Sequence, residues 1–95
     1  MDITTLRQQY REKILAIADK YGAENVRVFG SIARGDAGDA SNLDLLVHFR
    51  PDTSLLDIAG MWGDLGDLLG RKVDIVSEQT IPHYALHIFA EAVPL

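Results

Sequence analysis

A glycine–serine pair followed by two separated aspartates is the part of this sequence that could do phosphate chemistry. Gly30 and Ser31 come directly after a short apolar run, and Asp44 and Asp74 each lie near the start of a later apolar run. Glycine lets the backbone approach a ligand closely, and the serine hydroxyl and the N–H groups of a helix start can donate to a phosphate. Carboxylates supply the hard oxygen ligands that magnesium prefers. The pattern therefore predicts a site for a metal-bound triphosphate.

Hydrophobic periodicity predicts the elements that must position these residues. Strands are predicted at 26–29, 43–49 and 72–77, helices at 2–21, 32–34, 55–69 and 81–93, and a loop at 35–41. The fold class is therefore α/β, a small mixed sheet of at least three strands with helices packed on one face and the site on the other. We expect residues 1–95 to form a single domain, because a chain of this length can bury one small core.

The alternation of side chains in the second predicted strand determines which way its aspartate points. The odd positions of 43–49 are all apolar and share one face, which must be covered by helices. Asp44 therefore lies on the opposite, open face. The same alternation in the third predicted strand points Asp74 outward, so we expect both carboxylates on one side of the sheet.

The same residues resemble the signature of the minimal nucleotidyltransferase family, which belongs to the DNA-polymerase-beta-like superfamily. That signature is Gly-Ser, ten residues, Asp-x-Asp and a later Asp on another strand. Here Gly30-Ser31 is followed after ten residues by Asn42-x-Asp44 and later by Asp74, and the resemblance covers nearly the whole chain. One position departs from the signature, because Asn42 stands where the family has its first aspartate.

The resemblance implies a role for each of these residues. Gly30 and Ser31 would bind the β- and γ-phosphates of ATP. Asn42, Asp44 and Asp74 would be the ligand positions for two Mg²⁺ ions, with Asp44 and Asp74 catalytic and Asp74 also the general base for the acceptor hydroxyl. Because Asn42 adds no negative charge, we expect weaker metal binding and a transfer rate lower by orders of magnitude. A naturally weakened enzyme, a degenerate binding protein and a deliberate substitution all stay open as its origin.

The function that the resemblance implies is that of an antitoxin. In this family the protein transfers AMP from ATP to a tyrosine hydroxyl of a partner HEPN-domain toxin, an RNase, and so neutralises it. The chain lacks the Arg-x4–6-His pattern of such a toxin, which is consistent with its being the partner. Two alternatives stay open: an antitoxin that acts by binding alone, and nucleotidyl transfer to a small molecule such as an aminoglycoside.

Composition excludes several other classes of protein. Fourteen acidic against nine basic residues give a net charge of −5, which argues against direct, sequence-independent binding to nucleic acid. The absence of cysteine excludes disulfides, thiolate zinc sites and thiol catalysis. No apolar run approaches the roughly 20 residues of a membrane span, and no signal peptide is visible. We therefore expect a cytoplasmic protein that does not bind membranes.

Five other residues invite a functional interpretation that we do not favour. Arg34 is interpreted as a salt-bridge residue rather than a phosphate ligand, and Trp62 as a core residue. His83 and His87 have metal-compatible spacing, but no glutamate of the zincin pattern and no obvious third ligand accompany them. His48 shares the open face with the first aspartate and is interpreted as a strand-surface residue.

Overall fold

The computed structural model describes residues 1–38 and 41–95, and its centre is a four-stranded mixed sheet. The strands are β1 (Ala23–Phe29), β2 (Leu43–Phe49), β3 (Val73–Ser77) and β4 (Val93–Pro94). The helices are α1 (Ile3–Gln9), α2 (Arg11–Lys20), α3 (Gly30–Arg34), α4 (Leu55–Leu69) and α5 (His87–Glu91), with 3-10 turns at Glu78–Thr80 and His83–Ala85. Part of the predicted loop at 35–41, residues 39 and 40, lies outside the described residues.

The order of the strands in the sheet is β3-β2-β1-β4. β1 runs antiparallel to both β2 and β4, whereas β2 and β3 run parallel. The register of the parallel pair places Asp44 directly beside Asp74, and the antiparallel register places Asp44 opposite Phe29, the last residue of β1. The predicted α/β class with a mixed sheet of at least three strands is confirmed.

The hydrophobic core lies between one face of the sheet and helices α1, α2 and α4. The alternate residues Leu43, Leu45 and Val47 of β2 are fully buried there, as their periodicity predicted. The helices contribute the fully buried side chains of Leu6, Ile14, Met61 and Leu65. Because one face of β2 is committed to this core, Asp44 is held on the other face.

Helix α4 matches its predicted bounds because both of its ends are locally encoded. Ser54 accepts a hydrogen bond from the N–H of Asp57, and the Asp57 carboxylate accepts one from the N–H of Ser54, which forms a capping box. Gly70 ends the helix in the left-handed conformation, with φ of 62°.

The predicted core position of Trp62 is wrong: the side chain is 40% exposed, and its indole N–H donates to the carbonyl of Val73.

The N-terminal prediction of one helix over 2–21 is wrong in one respect. The backbone leaves the helical region at Tyr10, with φ of −123° and ψ of −10°, so that α1 and α2 are separate helices.

Strand β1 also begins earlier than predicted. Asn25 has φ of 52°, and the register with β2 shifts between Glu24 and Arg27. This irregularity interrupts the alternation of apolar and polar residues by which a strand is recognised from sequence.

The predicted final helix over 81–93 is also wrong. The segment forms a 3-10 turn, the short helix α5 and the strand β4, which pairs with the free edge of β1. The pairing covers part of that edge, at Arg27 and Val28, and the adjoining Leu95 is buried. The face opposite the core is consequently not wholly open, because α5 packs against α3 and Leu46 is fully buried.

Over residues 1–38 and 41–95 the structure contains no helix with both the length and the apolar content to span a membrane.

Candidate active site

The corner between β1 and α3 brings a backbone turn against the first aspartate. Gly30 has φ of 76°, a conformation that other residues rarely adopt. A Cβ atom on Gly30 would lie 3.1 Å from Cγ of Asp44 and still closer to Oδ2. The position therefore requires glycine for two reasons, its backbone conformation and the close approach of the Asp44 carboxylate.

The predicted ligand positions also converge. Asp44 and Asp74 are neighbours in the parallel pairing of β2 and β3, and Asn42 Nδ2 donates to Asp74 Oδ2 over 3.2 Å. Ser41, directly before Asn42, is held by Arg71, whose Nη1 donates to the Ser41 carbonyl over 3.1 Å. The sheet register and this loop contact place the three side chains together.

The electrostatics of the aspartate pair favour a bound cation. Burial raises the pKa of the Asp44 carboxyl, and the neighbouring negative charges of Asp74 and Glu91 raise it further, whereas Arg34 lowers it in part. A divalent ion at these oxygens would relieve the repulsion between the carboxylates. The donor set of two carboxylates and the Asn42 amide oxygen fits a hard ion such as Mg²⁺.

The third predicted ligand position, Asn42, carries an amide rather than a carboxylate. Within the described ranges, residues 1–38 and 41–95, no group of three or more His, Cys, Asp or Glu side chains could hold a metal. The donor set therefore carries one negative charge fewer than the Asp-x-Asp signature would supply.

A cavity of about 480 Å³ opens in front of this group. Its volume is within the range of small-molecule and cofactor sites. The cavity is lined by Phe29, Gly30, Ser31, Arg34, Ser41, Asn42, Asp44, His87, Ile88 and Glu91. Asp74 does not line it directly and reaches it through its contact with Asn42. The structure thus brings the glycine–serine corner, Asn42 and Asp44 to one cavity, and it places Asp74 next to Asn42 and Asp44.

Glu91 is the residue at this site that sequence analysis missed. Its Oε1 accepts hydrogen bonds from the backbone N–H of Gly30, over 2.6 Å, and from Arg34 Nη1, over 2.7 Å. The two partners are 61 and 57 positions away in the chain, so no local pattern could have indicated the contact. The interpretation of Arg34 as a salt-bridge residue is confirmed, since it also pairs with Asp36 over 3.2 Å.

The three histidines lie at the protein surface, and one of them, His87, is also at the cavity. His48 is a partly exposed strand residue whose Nδ1 lies 2.9 Å from Glu78 Oε1. His83 and His87 are exposed, and His87 also lines the cavity.

Comparison with known proteins agrees with this geometry. The family described as nucleotidyltransferase domain matches residues 11–95. The chain is similar to MJ0435 of Methanocaldococcus jannaschii, provisionally named a protein adenylyltransferase, with 35% identity over 73 residues, 77% of this chain and 78% of that protein. This chain belongs to the nucleotidyltransferase domain family.

Solved structures resemble all or most of the chain. One, described as a provisionally assigned minimal nucleotidyltransferase, is 48% identical, with a TM-score of 0.85 over 100% of this chain and 97% of that one. A toxin–antitoxin structure with AMP-PNP is 16% identical, with a TM-score of 0.76 over 90% of this chain and 71% of that one. At that identity the second likeness shows the fold alone. The resemblance to minimal nucleotidyltransferases is confirmed.

Proposed function

We propose that this chain is the antitoxin of a toxin–antitoxin pair and a metal-dependent adenylyltransferase. It transfers AMP from ATP to a tyrosine hydroxyl of a HEPN-domain RNase toxin and thereby neutralises the toxin. The observation that carries the proposal is that the Gly30–Ser31 corner and Asp44 line one cavity, with Asp74 paired beside Asp44 in the sheet. The similarity to a protein named as an adenylyltransferase, and the fold shared with a toxin–antitoxin structure holding an ATP analogue, support it.

Each residue would have a defined part in the reaction. Gly30 and Ser31 would bind the β- and γ-phosphates, and Asp44, Asp74 and Asn42 would hold Mg²⁺, which when bound supplies positive charge to the triphosphate. The acceptor hydroxyl oxygen forms a bond to the α-phosphorus while the bond from that phosphorus to the β-bridging oxygen breaks. Pyrophosphate leaves with the electrons of that bond, and the hydroxyl proton passes to Asp74.

The transfer rate should be reduced in this chain because of Asn42. Its amide contributes no negative charge, and it donates to the same Asp74 carboxylate that would bind metal and accept the proton. The oxygen that accepts this hydrogen bond is less available to a metal ion or to the hydroxyl proton. Asn42→Asp replaces the donor with a ligand, so we expect the substitution to raise the transfer rate by orders of magnitude.

The experiment incubates the protein with ATP labelled at the α-phosphate, Mg²⁺ and the toxin encoded beside it. The variants are Asn42→Asp, Asp44→Ala and Asp74→Ala, with Asp67→Ala as the control for loss of an exposed carboxylate on α4. We expect weak labelling of the toxin by the parent chain, strong labelling by Asn42→Asp and unchanged labelling by Asp67→Ala. Undiminished labelling by Asp44→Ala or Asp74→Ala would contradict the site assignment.

A second function, neutralisation by binding alone, is favoured by the contact between Asn42 and Asp74, since that contact occupies a catalytic oxygen. It predicts a stable complex with the toxin and no label from the parent chain. Label from Asn42→Asp alone would identify Asn42 as the cause of the inactivity, and no label from either would mean that the chain acts by binding only. The same labelling experiment, followed by size-exclusion chromatography of the mixture, distinguishes the two functions.

A further inference from the structure

The contact between Glu91 and the glycine corner places a carboxylate where a nucleotide phosphate would bind. A single oxygen, Glu91 Oε1, accepts from both the Gly30 N–H and Arg34 Nη1 over 2.6 and 2.7 Å. These distances are those of charge-assisted hydrogen bonds, and an arginine beside a backbone donor binds phosphoryl oxygen in the same way as carboxylate oxygen. The corner therefore already holds an anion, supplied by the chain itself.

Both donors face the cavity that the proposed function assigns to ATP, because Gly30, Arg34 and Glu91 all line it. A phosphoryl oxygen cannot take the Gly30 N–H while Glu91 Oε1 is bonded to it. The nucleotide must either displace the carboxylate or bind without this donor.

Displacement requires little rearrangement of the backbone. The residues on either side of Glu91 are held in place, since α5 packs against α3 and β4 pairs with β1. The Glu91 side chain itself retains 20% exposure, and its unbranched stem can rotate toward solvent. Rotation would release Arg34 Nη1 to bind the incoming phosphate, while Nε keeps its contact with Asp36.

We infer that Glu91 is an internal competitor of the nucleotide: its carboxylate occupies the anion-binding donors of Gly30 and Arg34, and triphosphate binding displaces it. Arg34 is then a phosphate-binding residue of the nucleotide-bound state, as well as the salt-bridge residue of the free state. The inference rests on the proposed function for the identity of the ligand.

The test measures binding of Mg²⁺-ATP and of tripolyphosphate, by calorimetry, to the parent chain, Glu91→Gln, Arg34→Ala and Asp36→Asn. Glu91→Gln is isosteric and retains an acceptor for Gly30, so the fold is kept while the charge is removed. Asp36→Asn is the matched control, because Asp36 pairs with the same guanidinium and is 62% exposed, whereas the Gly30 N–H donates to Glu91. Thermal denaturation of each variant checks that the fold is intact.

We expect Glu91→Gln to bind both ligands about tenfold more tightly than the parent chain, the size of effect of one charge-assisted hydrogen bond. Asp36→Asn should change the affinity less than threefold, as expected for an exposed pair, and Arg34→Ala should weaken binding. Unchanged or weaker binding to Glu91→Gln, or an equal gain in Asp36→Asn, would overturn the inference. The inference can fail while the proposed function stands, if the parent chain binds ATP and labels its partner but Glu91→Gln binds no more tightly. If no variant binds either ligand, both the inference and the proposed function are overturned.

Discussion

Replacement of Gly30 by alanine separates the two reasons for glycine at the corner. Gly30 and Gly35 both have left-handed backbones, with φ of 76° and 83°. A Cβ atom on Gly35 would have no neighbour within 4 Å, whereas on Gly30 it would meet the Asp44 carboxylate closer than 3.0 Å. Gly35→Ala is therefore a matched control that carries the backbone cost without the steric clash.

The expected magnitudes follow from these contacts. The left-handed conformation costs an alanine about 1–2 kcal/mol of stability in either variant, and each kcal/mol lowers the Tm of a domain of this size by about 4–8 °C. Gly30→Ala must also displace the carboxylate of Asp44. Because a displacement of about 1 Å at a reacting centre can cost about 10²-fold, Gly30→Ala should reduce AMP transfer by roughly that factor.

The assay combines thermal denaturation with transfer of labelled AMP, both measured in the Asn42→Asp background, where the larger signal makes a 10²-fold loss measurable. Gly35→Ala should lose stability and retain the transfer rate within about threefold, an allowance of under 1 kcal/mol. Equal transfer rates in the two variants would refute the reasoning that the Gly30–Asp44 approach positions the site. A Gly35→Ala variant as stable as its parent would refute the estimate of the backbone cost.

Two further predictions concern stability. Gly63→Ala should raise the free energy of unfolding by about 0.5–1 kcal/mol through helix propensity, because a Cβ atom there has open space. Gly60→Ala should lower the free energy of unfolding, because a Cβ atom there would lie 2.5 Å from Tyr21 Cε1. Urea denaturation of both variants checks this difference in sign. Asp44→Asn should raise the free energy of unfolding at pH 7 without Mg²⁺. The pKa of Asp44 is raised by folding, so ionisation destabilises the folded state as pH increases through that pKa, and the gain should vanish below the ordinary aspartate pKa of about 3.9. A gain that persists at pH 2 would contradict this cause.

Much of the sheet and of the helix α4 could be predicted because the determining signals are local. The alternation in 43–49 assigns Asp44 to the face opposite the core, and Ser54 and Gly70 define the two ends of α4. The close approach of Gly30 to Asp44 was predicted only as a general property of glycine. The sequence pattern indicates which residues form the site. The distances between those residues follow from the sheet register, which the structure shows.

The C-terminal segment could not be predicted for physical reasons. Its elements are short: α5 has five residues and β4 has two, too few for a periodic pattern. What holds the segment in place is pairing with β1 and the contacts of Glu91, and both join residues that are distant in sequence. Long-range contacts of this kind leave no signal in a single sequence, so Glu91 was missed.

The in-register pairing of β2 with β3 limits how the chain can vary in evolution. Side chains alternate along a strand, so inserting one residue into β3 before Asp74 would turn that carboxylate from the face opposite the core toward the core. An insertion in the loop at 50–54, between Phe49 of β2 and Leu55 of α4, would leave the pairing of Asp44 with Asp74 unchanged. We therefore expect homologues to differ in length between the strands while the number of residues from the start of each strand to its aspartate stays constant.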